Sequence, residues 1–223
     1  MPREVTLDIG PVSLPGELAV PDGAVGCVLF AHGSGSSRHS PRNAAVARHL
    51  NGVGIGTLLF DLLTAGEAAD RAKVFDIPLL ATRLLGATDW VWAVPEFTSL
   101  PLAYFGASTG AGAALWAAAD LGSAIAAAVS RGGRPDLAEP RLAEVVSPTL
   151  LIVGEDDPVV IELNRDAQRL LRCENRLEIV PGATHLFEEP GALERATELA
   201  ADWFGRHLRA ASPGDSSSRA EAQ

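Results

Sequence analysis

A serine hydroxyl becomes a useful nucleophile only when a base takes its proton and an acid fixes that base in one tautomer. The sequence offers the three residue types in the order Ser, Asp, His: Ser108 within Gly106-Ala107-Ser108-Thr109-Gly110, Asp157 within Gly154-Glu155-Asp156-Asp157-Pro158, and His185 at the end of Pro181-Gly182-Ala183-Thr184-His185. Each stretch follows an apolar run and is punctuated by glycine or proline, so each reads as a loop that leaves a strand. Leu102 to Phe105 lack the alternation of a half-buried strand, and the alanine-rich segment after Gly110 continues as helix. G-x-S-x-G between such a strand and helix is a nucleophile elbow, whose small flanking residues let the backbone take a strained turn and hold the hydroxyl clear. Taken alone, the same five residues are equally consistent with a tight turn. The agreement of the acid and histidine loops raises the pattern above chance.

The other candidate groups are weighed against plainer roles. His39, His49 and His207 fall in or beside helices with polar neighbours and read as solvated, while His32 reads as a brace for its own loop, His32-Gly33-Ser34-Gly35-Ser36-Ser37. Asp61 falls toward the carboxyl end of the strand read at Gly56–Leu63, where open α/β sheets place functional groups, although an aspartate there commonly caps a loop. Arg131 and Arg134 follow the strand ending at Ser130 and could recognise an anionic group on a substrate; Arg134 is the better placed to pair with Asp136 or Glu139. Arg131 is therefore the substrate-binding candidate, with Asp61 beside it. Neither glycine-rich loop ends in the Lys-Ser/Thr of a phosphate loop or carries a full dinucleotide fingerprint. Cys27 and Cys173 have no spacing that suggests zinc or a redox pair. No cofactor and no metal are expected.

These loops need a frame. Apolar strands are predicted at Gly26–Ala31, Gly56–Leu63, Leu102–Phe105, Ala124–Ser130, Thr149–Val153 and Leu177–Val180, separated by helical spacing. Helices are predicted after Ser40-Pro41 (Val46, Ala47 and Leu50 buried), across Ile77–Leu84, after Gly110, across Leu163–Leu171 (Leu163, Ala167, Leu170 and Leu171 on one face), and from Pro190 with Leu193, Ala196, Ala200 and Trp203 buried. Val5–Val20, broken by Gly10-Pro11 and Pro15-Gly16, suits a hairpin at a sheet edge. Alternation of strand and helix implies an α/β fold, a mostly parallel sheet with helices on both faces and its functional loops gathered at the carboxyl ends of the strands. With 223 residues, 47% of them hydrophobic, one domain over 1–211 can bury a sizeable core, and residues 212–223 read as a disordered tail. A net charge of −10 without a basic stripe disfavours nucleic acid, and no apolar run is long enough for a membrane span. The expectation is a cytoplasmic protein acting on a small molecule.

At this point the chain resembles the α/β-hydrolases, and within them the small dienelactone-hydrolase-like members. The resemblance covers about residues 20–208 and rests on His32-Gly33-Ser34-Gly35, Gly106–Gly110, Gly154–Asp157 and Gly182–His185. It implies a serine hydrolase of small esters, thioesters or lactones working through an acyl-enzyme, without a large lid domain. It also selects Asp157 over Asp156 and Glu155, with Asp136 as the structural runner-up. Thr109, which follows the nucleophile and opens a helix, is expected to lend its backbone N–H to an oxyanion hole; the resemblance implies that the second donor is Ser34. Dienelactone hydrolases carry cysteine where this chain has Ser108, a departure that counts against dienelactone substrates. With only a short linker between Ser130 and Thr149, the site is expected to be open and to favour compact acyl groups. Acyl transfer to an acceptor other than water would use the same residues, and a non-catalytic binding protein could keep the same fold.

Overall fold

The five residues Cys27–Ala31 are buried at every position, as are Gly56–Phe60, Leu102–Ala107 and Thr149–Gly154. Runs that bury both faces belong at the centre of a parallel sheet. The computed structural model, which describes residues 2–211, assembles them in that way. Its strands are β1 (Arg3–Ile9), β2 (Val12–Ala19), β3 (Cys27–Ala31), β4 (Gly56–Phe60), β5 (Leu102–Ala107), β6 (Ile125–Arg131), β7 (Thr149–Gly154) and β8 (Asn175–Val180). They form one sheet in the order β1-β2-β4-β3-β5-β6-β7-β8. The β1–β2 hairpin is antiparallel at one edge, and every pairing from β4 to β8 is parallel.

Among the described residues, six α-helices lie between the strands, α1 (Pro41–Gly52), α2 (Ala65–Ala68), α3 (Arg71–Val74), α4 (Ile77–Trp92), α5 (Thr109–Leu121) and α6 (Pro158–Leu170), and α7 (Ala192–Ala211) follows β8. Leu84 and Val91 of α4 and Leu115 of α5 join one core layer with Leu58 and Tyr104 of the sheet. Val46 and Leu50 of α1 and Trp203 and Phe204 of α7 join another with Phe30 and Phe105. Helices therefore cover both faces, as expected. Ser40 caps α1 by accepting the Asn43 N–H, with Pro41 in the first turn. Between β6 and β7 there is only a 3-10 segment, Pro135–Glu144, and no inserted lid.

Three expectations need correction. In α6 the buried residues are Val160, Ile161, Asn164 and Ala167, while Leu170 is exposed, because the helix packs beside the loop after β6 and turns its face to bring Asn164 inward. The last helix begins at Ala192, two residues after Pro190. His207 is not solvated: its ring lies 4.6 Å from that of Trp203 and its Nε2 is buried, 3.8 Å from Glu174. No helix among the described residues is long and apolar enough to cross a membrane. The expected tail, 212–223, lies outside the described residues.

Candidate active site

Ser108 sits between β5 and α5 with φ 52° and ψ −124°, a left-handed backbone that L residues rarely adopt. Such a conformation costs on the order of 1–3 kcal/mol and persists only where its surroundings enforce it. Here main-chain bonds enforce it: the Ser108 N–H donates to the Arg131 carbonyl at 3.3 Å, and the Ser108 carbonyl accepts from Ala111 and Arg134 N–H groups, both at 3.0 Å. The flanking glycines permit the close approach. A Cβ on Gly106 would lie 2.4 Å from the Ala111 Cα, and one on Gly110 would lie 2.1 Å from the Ala31 carbonyl oxygen. The second contact also fixes the end of β3, from which the loop facing Ser108 departs.

The fold brings Asp157 and His185 together. His185 Nδ1 lies 2.7 Å from Asp157 Oδ2; the acid is largely buried and the histidine is 38% exposed, open enough to reach a substrate. Asp156 and Asp136 do not take this place, since Asp136 is held by Arg134 at 2.7 and 2.8 Å. The histidine loop is pinned on several sides. Thr184 bonds to Glu189 through both its N–H and its hydroxyl, the Gly182 N–H reaches Glu155, and buried Phe187 adopts φ 57° two residues past His185. Phe187 was not legible as a site residue, because its local sequence gives no sign of a positive φ. Ser108 and His185 line one cavity of about 240 Å³, with Gly33, Asn43, Arg131 and Gly132 among its other walls.

Of the two expected oxyanion donors, Thr109 occupies the first position of α5, where its N–H has no intrahelical partner. Ser34 departs from expectation: its N–H donates to Thr109 Oγ1 at 2.8 Å, so that hydroxyl holds the acceptor position an oxyanion would need. His32 does brace its loop. Its Nδ1 lies 3.0 Å from the Gly33 carbonyl and its Nε2 accepts the Leu62 N–H at 3.1 Å, while burial pushes its pKa down and favours the neutral ring. Asp61 accepts from the Arg38 N–H at 2.7 Å and pairs with the Arg38 guanidinium at 2.6 Å, so both of its oxygens serve the loop between β3 and α1. Arg134 is likewise paired, as anticipated. Arg131 is buried and lines the cavity with Ser108.

A second cavity of about 610 Å³ lies across the Gly33–Ser36 loop, sharing Gly33, Ser34 and Ser36 with the first. Leu62, Leu63, Val74 and Leu80 give it apolar walls, and Ala65 and Ala68 of α2 close one side. The crossover after β4 thus supplies the apolar surface that a short β6–β7 linker had seemed to deny. Its shape is fixed by a capping box at Thr64 and Glu67 and by buried Arg83, which reaches Glu67 at 3.0 Å.

A strained serine after the central strand, an acid after β7 and a histidine after β8 are the arrangement of an α/β-hydrolase. No family model matches the sequence. The chain is 59% identical over 206 residues to a protein of Mycobacterium tuberculosis, found in strains CDC 1551 / Oshkosh and ATCC 25618 / H37Rv, that bears the provisional name phosphoribosyl transferase. That match takes in 92% of this chain but only 46% of the relative, so the chain spans about half the length of the curated relatives it matches. Among solved structures it is similar to the dienelactone hydrolase of Anabaena variabilis ATCC 29413, with 54% identity and a TM-score of 0.90 over 93% of this chain and 99% of that one. It also shares its fold with Est1E of Butyrivibrio proteoclasticus, at 17% identity and a TM-score of 0.78, over 92% and 98% of the two chains. The chain belongs to the dienelactone hydrolase family.

Proposed function

We propose that the protein is a serine hydrolase that cleaves small carboxylic esters, thioesters or lactones through an acyl-enzyme. The observation that carries this reading is the 2.7 Å contact between His185 and Asp157 beside the strained Ser108, with Ser108 and His185 on one cavity. Asp157 holds the imidazole with its Nδ1 protonated, which leaves Nε2 to take the Ser108 proton. Ser108 Oγ adds to the substrate carbonyl, His185 returns the proton to the departing oxygen or sulfur, and water then repeats the sequence to release the acid. The N–H of Thr109, at the positive end of α5, stabilises the negative oxygen formed in each half. Ser34 joins as second donor by sharing its hydrogen with Thr109 Oγ1 or by exchanging that partner for the oxyanion. The partner of the site is a small ester-like molecule.

The name of the mycobacterial relative describes a protein of about twice this length, and the residues gathered here suit attack on an acyl carbon. Labelling with a fluorophosphonate probe tests the reading. Wild type should be labelled at Ser108, and Ser108→Ala should not. Undiminished labelling of the variant would place the nucleophile elsewhere, and an unlabelled wild type would favour a binding protein on a hydrolase fold.

A further inference from the structure

One wall of the reacting cavity is built in an unusual way. Arg131, the last residue of β6, is 7% exposed. Its Nη2 donates to Asn43 Oδ1 at 3.1 Å, its guanidinium carbon lies 5.6 Å from the centre of the Phe105 ring, and its Nη1 is buried with no hydrogen-bond partner. Among the described residues no carboxylate stands within ion-pair distance of it, and the charge that acts on it is the like-signed Arg42, itself paired with Glu188 at 2.9 Å. Arg83, the other buried arginine, is matched by Glu67, and half-buried Arg38 by Asp61. A buried charge without a counter-charge is costly, and an anionic ligand in the cavity that Arg131 lines would give that cost a use. In a chain of net charge −10, a local cation is also what an anionic ligand would need to enter.

The two cavities differ in what they offer. The smaller holds His185 and Arg131; the larger touches neither Ser108 nor His185 and is reached past Ser34 and Thr109. His185 must protonate the departing oxygen, so the alcohol portion of an ester belongs in the cavity that contains His185. The acyl portion, whose carbonyl faces Thr109, then extends toward the apolar walls of Leu62, Leu63 and Leu80.

Resting on the serine-hydrolase reading, we propose that Arg131 binds a carboxylate or phosphate group carried on the alcohol side of the substrate, while an apolar acyl group occupies the larger cavity. Ser108 Oγ bonds to the acyl carbon as the ester C–O bond breaks, and the Ser108 proton passes through His185 to the alcohol oxygen. The anionic alcohol leaves past Arg131. Water then bonds to the acyl carbon as the bond from that carbon to Ser108 Oγ breaks, the water proton passes through His185 to Ser108 Oγ, and the free acid is released.

The test is a set of phenyl hexanoates with 4-carboxylate, 4-phosphate or neutral 4-carboxamide on the phenol, together with monophenyl succinate, which carries its anion on the acyl side. Each rate is divided by that ester's rate of alkaline hydrolysis. Wild type should favour one of the two anionic phenols over the amide by about tenfold or more in kcat/KM, the scale of a charge-assisted hydrogen bond. The better of the two identifies carboxylate or phosphate as the group bound. In Arg131→Gln that ratio should fall to near one. A readout on wild type alone accompanies it: 4-hydroxybenzoate should slow fluorophosphonate labelling of Ser108, and 4-hydroxybenzamide should not. Equal normalised rates for charged and neutral phenols, a preference that survives in folded Arg131→Gln, or an Arg131-dependent preference for the succinate ester would each overturn the subsite and leave the hydrolase standing. Absence of Ser108 labelling would overturn both.

Discussion

Two buried arginines in this fold should respond to the same substitution to very different extents. Burial and the nearby Arg42 push the Arg131 pKa from its ordinary value down to about 10. The drop corresponds to a penalty on the order of 3 kcal/mol on the charged form in the folded state. Because the group is protonated in both states, folded and unfolded, at every pH below about 10, the full penalty acts at neutral pH and fades only above that value. Arg131→Met removes it and keeps an apolar stem on the Phe105 ring, but leaves Asn43 Oδ1 without a donor, at about 1–3 kcal/mol. The two nearly cancel. At about 2–4 °C per kcal/mol for a domain of this size, Arg131→Met should melt within about 4 °C of wild type. Arg83→Met breaks a matched buried pair with Glu67, at about 3–5 kcal/mol, softened by Lys73 standing 3.7 Å away, and should lower the melting temperature by about 6 °C or more. Calorimetric melts of both variants at pH 7 make the comparison. If Arg131→Met fell as far as Arg83→Met, its charge would have to be compensated within the fold, and the argument for a ligand would fail.

Asp157→Asn keeps the shape of the acid but not its charge, lets the imidazole take the wrong tautomer, and should lower kcat by about four orders of magnitude with little change in KM; near-normal turnover would move the acid elsewhere. The larger cavity predicts that lengthening the acyl group from acetyl to hexanoyl raises kcat/KM. Four methylenes at about 0.8 kcal/mol each set a ceiling on the order of 200-fold, and a solvent-open cavity should realise about tenfold. Ala65→Trp, on its α2 wall, should erase that gain; a preference for acetyl in wild type would restore the compact-acyl expectation.

The strands were legible because most are short apolar runs between glycine and proline, and Ser108, Asp157 and His185 were legible as loop residues because each follows one of those runs. The parts that escaped depend on partners distant in the chain. Nothing near Arg131 announces that its side chain meets Asn43, 88 residues earlier, or that no acid meets it at all. The Ser34 N–H finds the Thr109 hydroxyl 75 residues away. The apolar cavity is made by a crossover whose own sequence, Thr64–Val74, is polar and alanine-rich, since its Leu62, Leu63 and Leu80 walls come from either side of it. The α6 face was misjudged for a related reason: hydrophobic spacing favours Leu170, but the helix is oriented by a polar residue, Asn164, whose amide holds the Gly133 carbonyl at 3.0 Å.

The loop from Arg131 to Arg134 holds Ser108 through main-chain groups alone: the Arg131 carbonyl on one side of the nucleophile and the Arg134 N–H on the other. Its side chains face a different task, one toward the cavity and one toward Asp136. Chemistry and selectivity are thereby written in separate parts of the same four residues. On the reading proposed above, a replacement at position 131 reshapes the cavity wall while the main-chain bonds that hold Ser108 stay as they are.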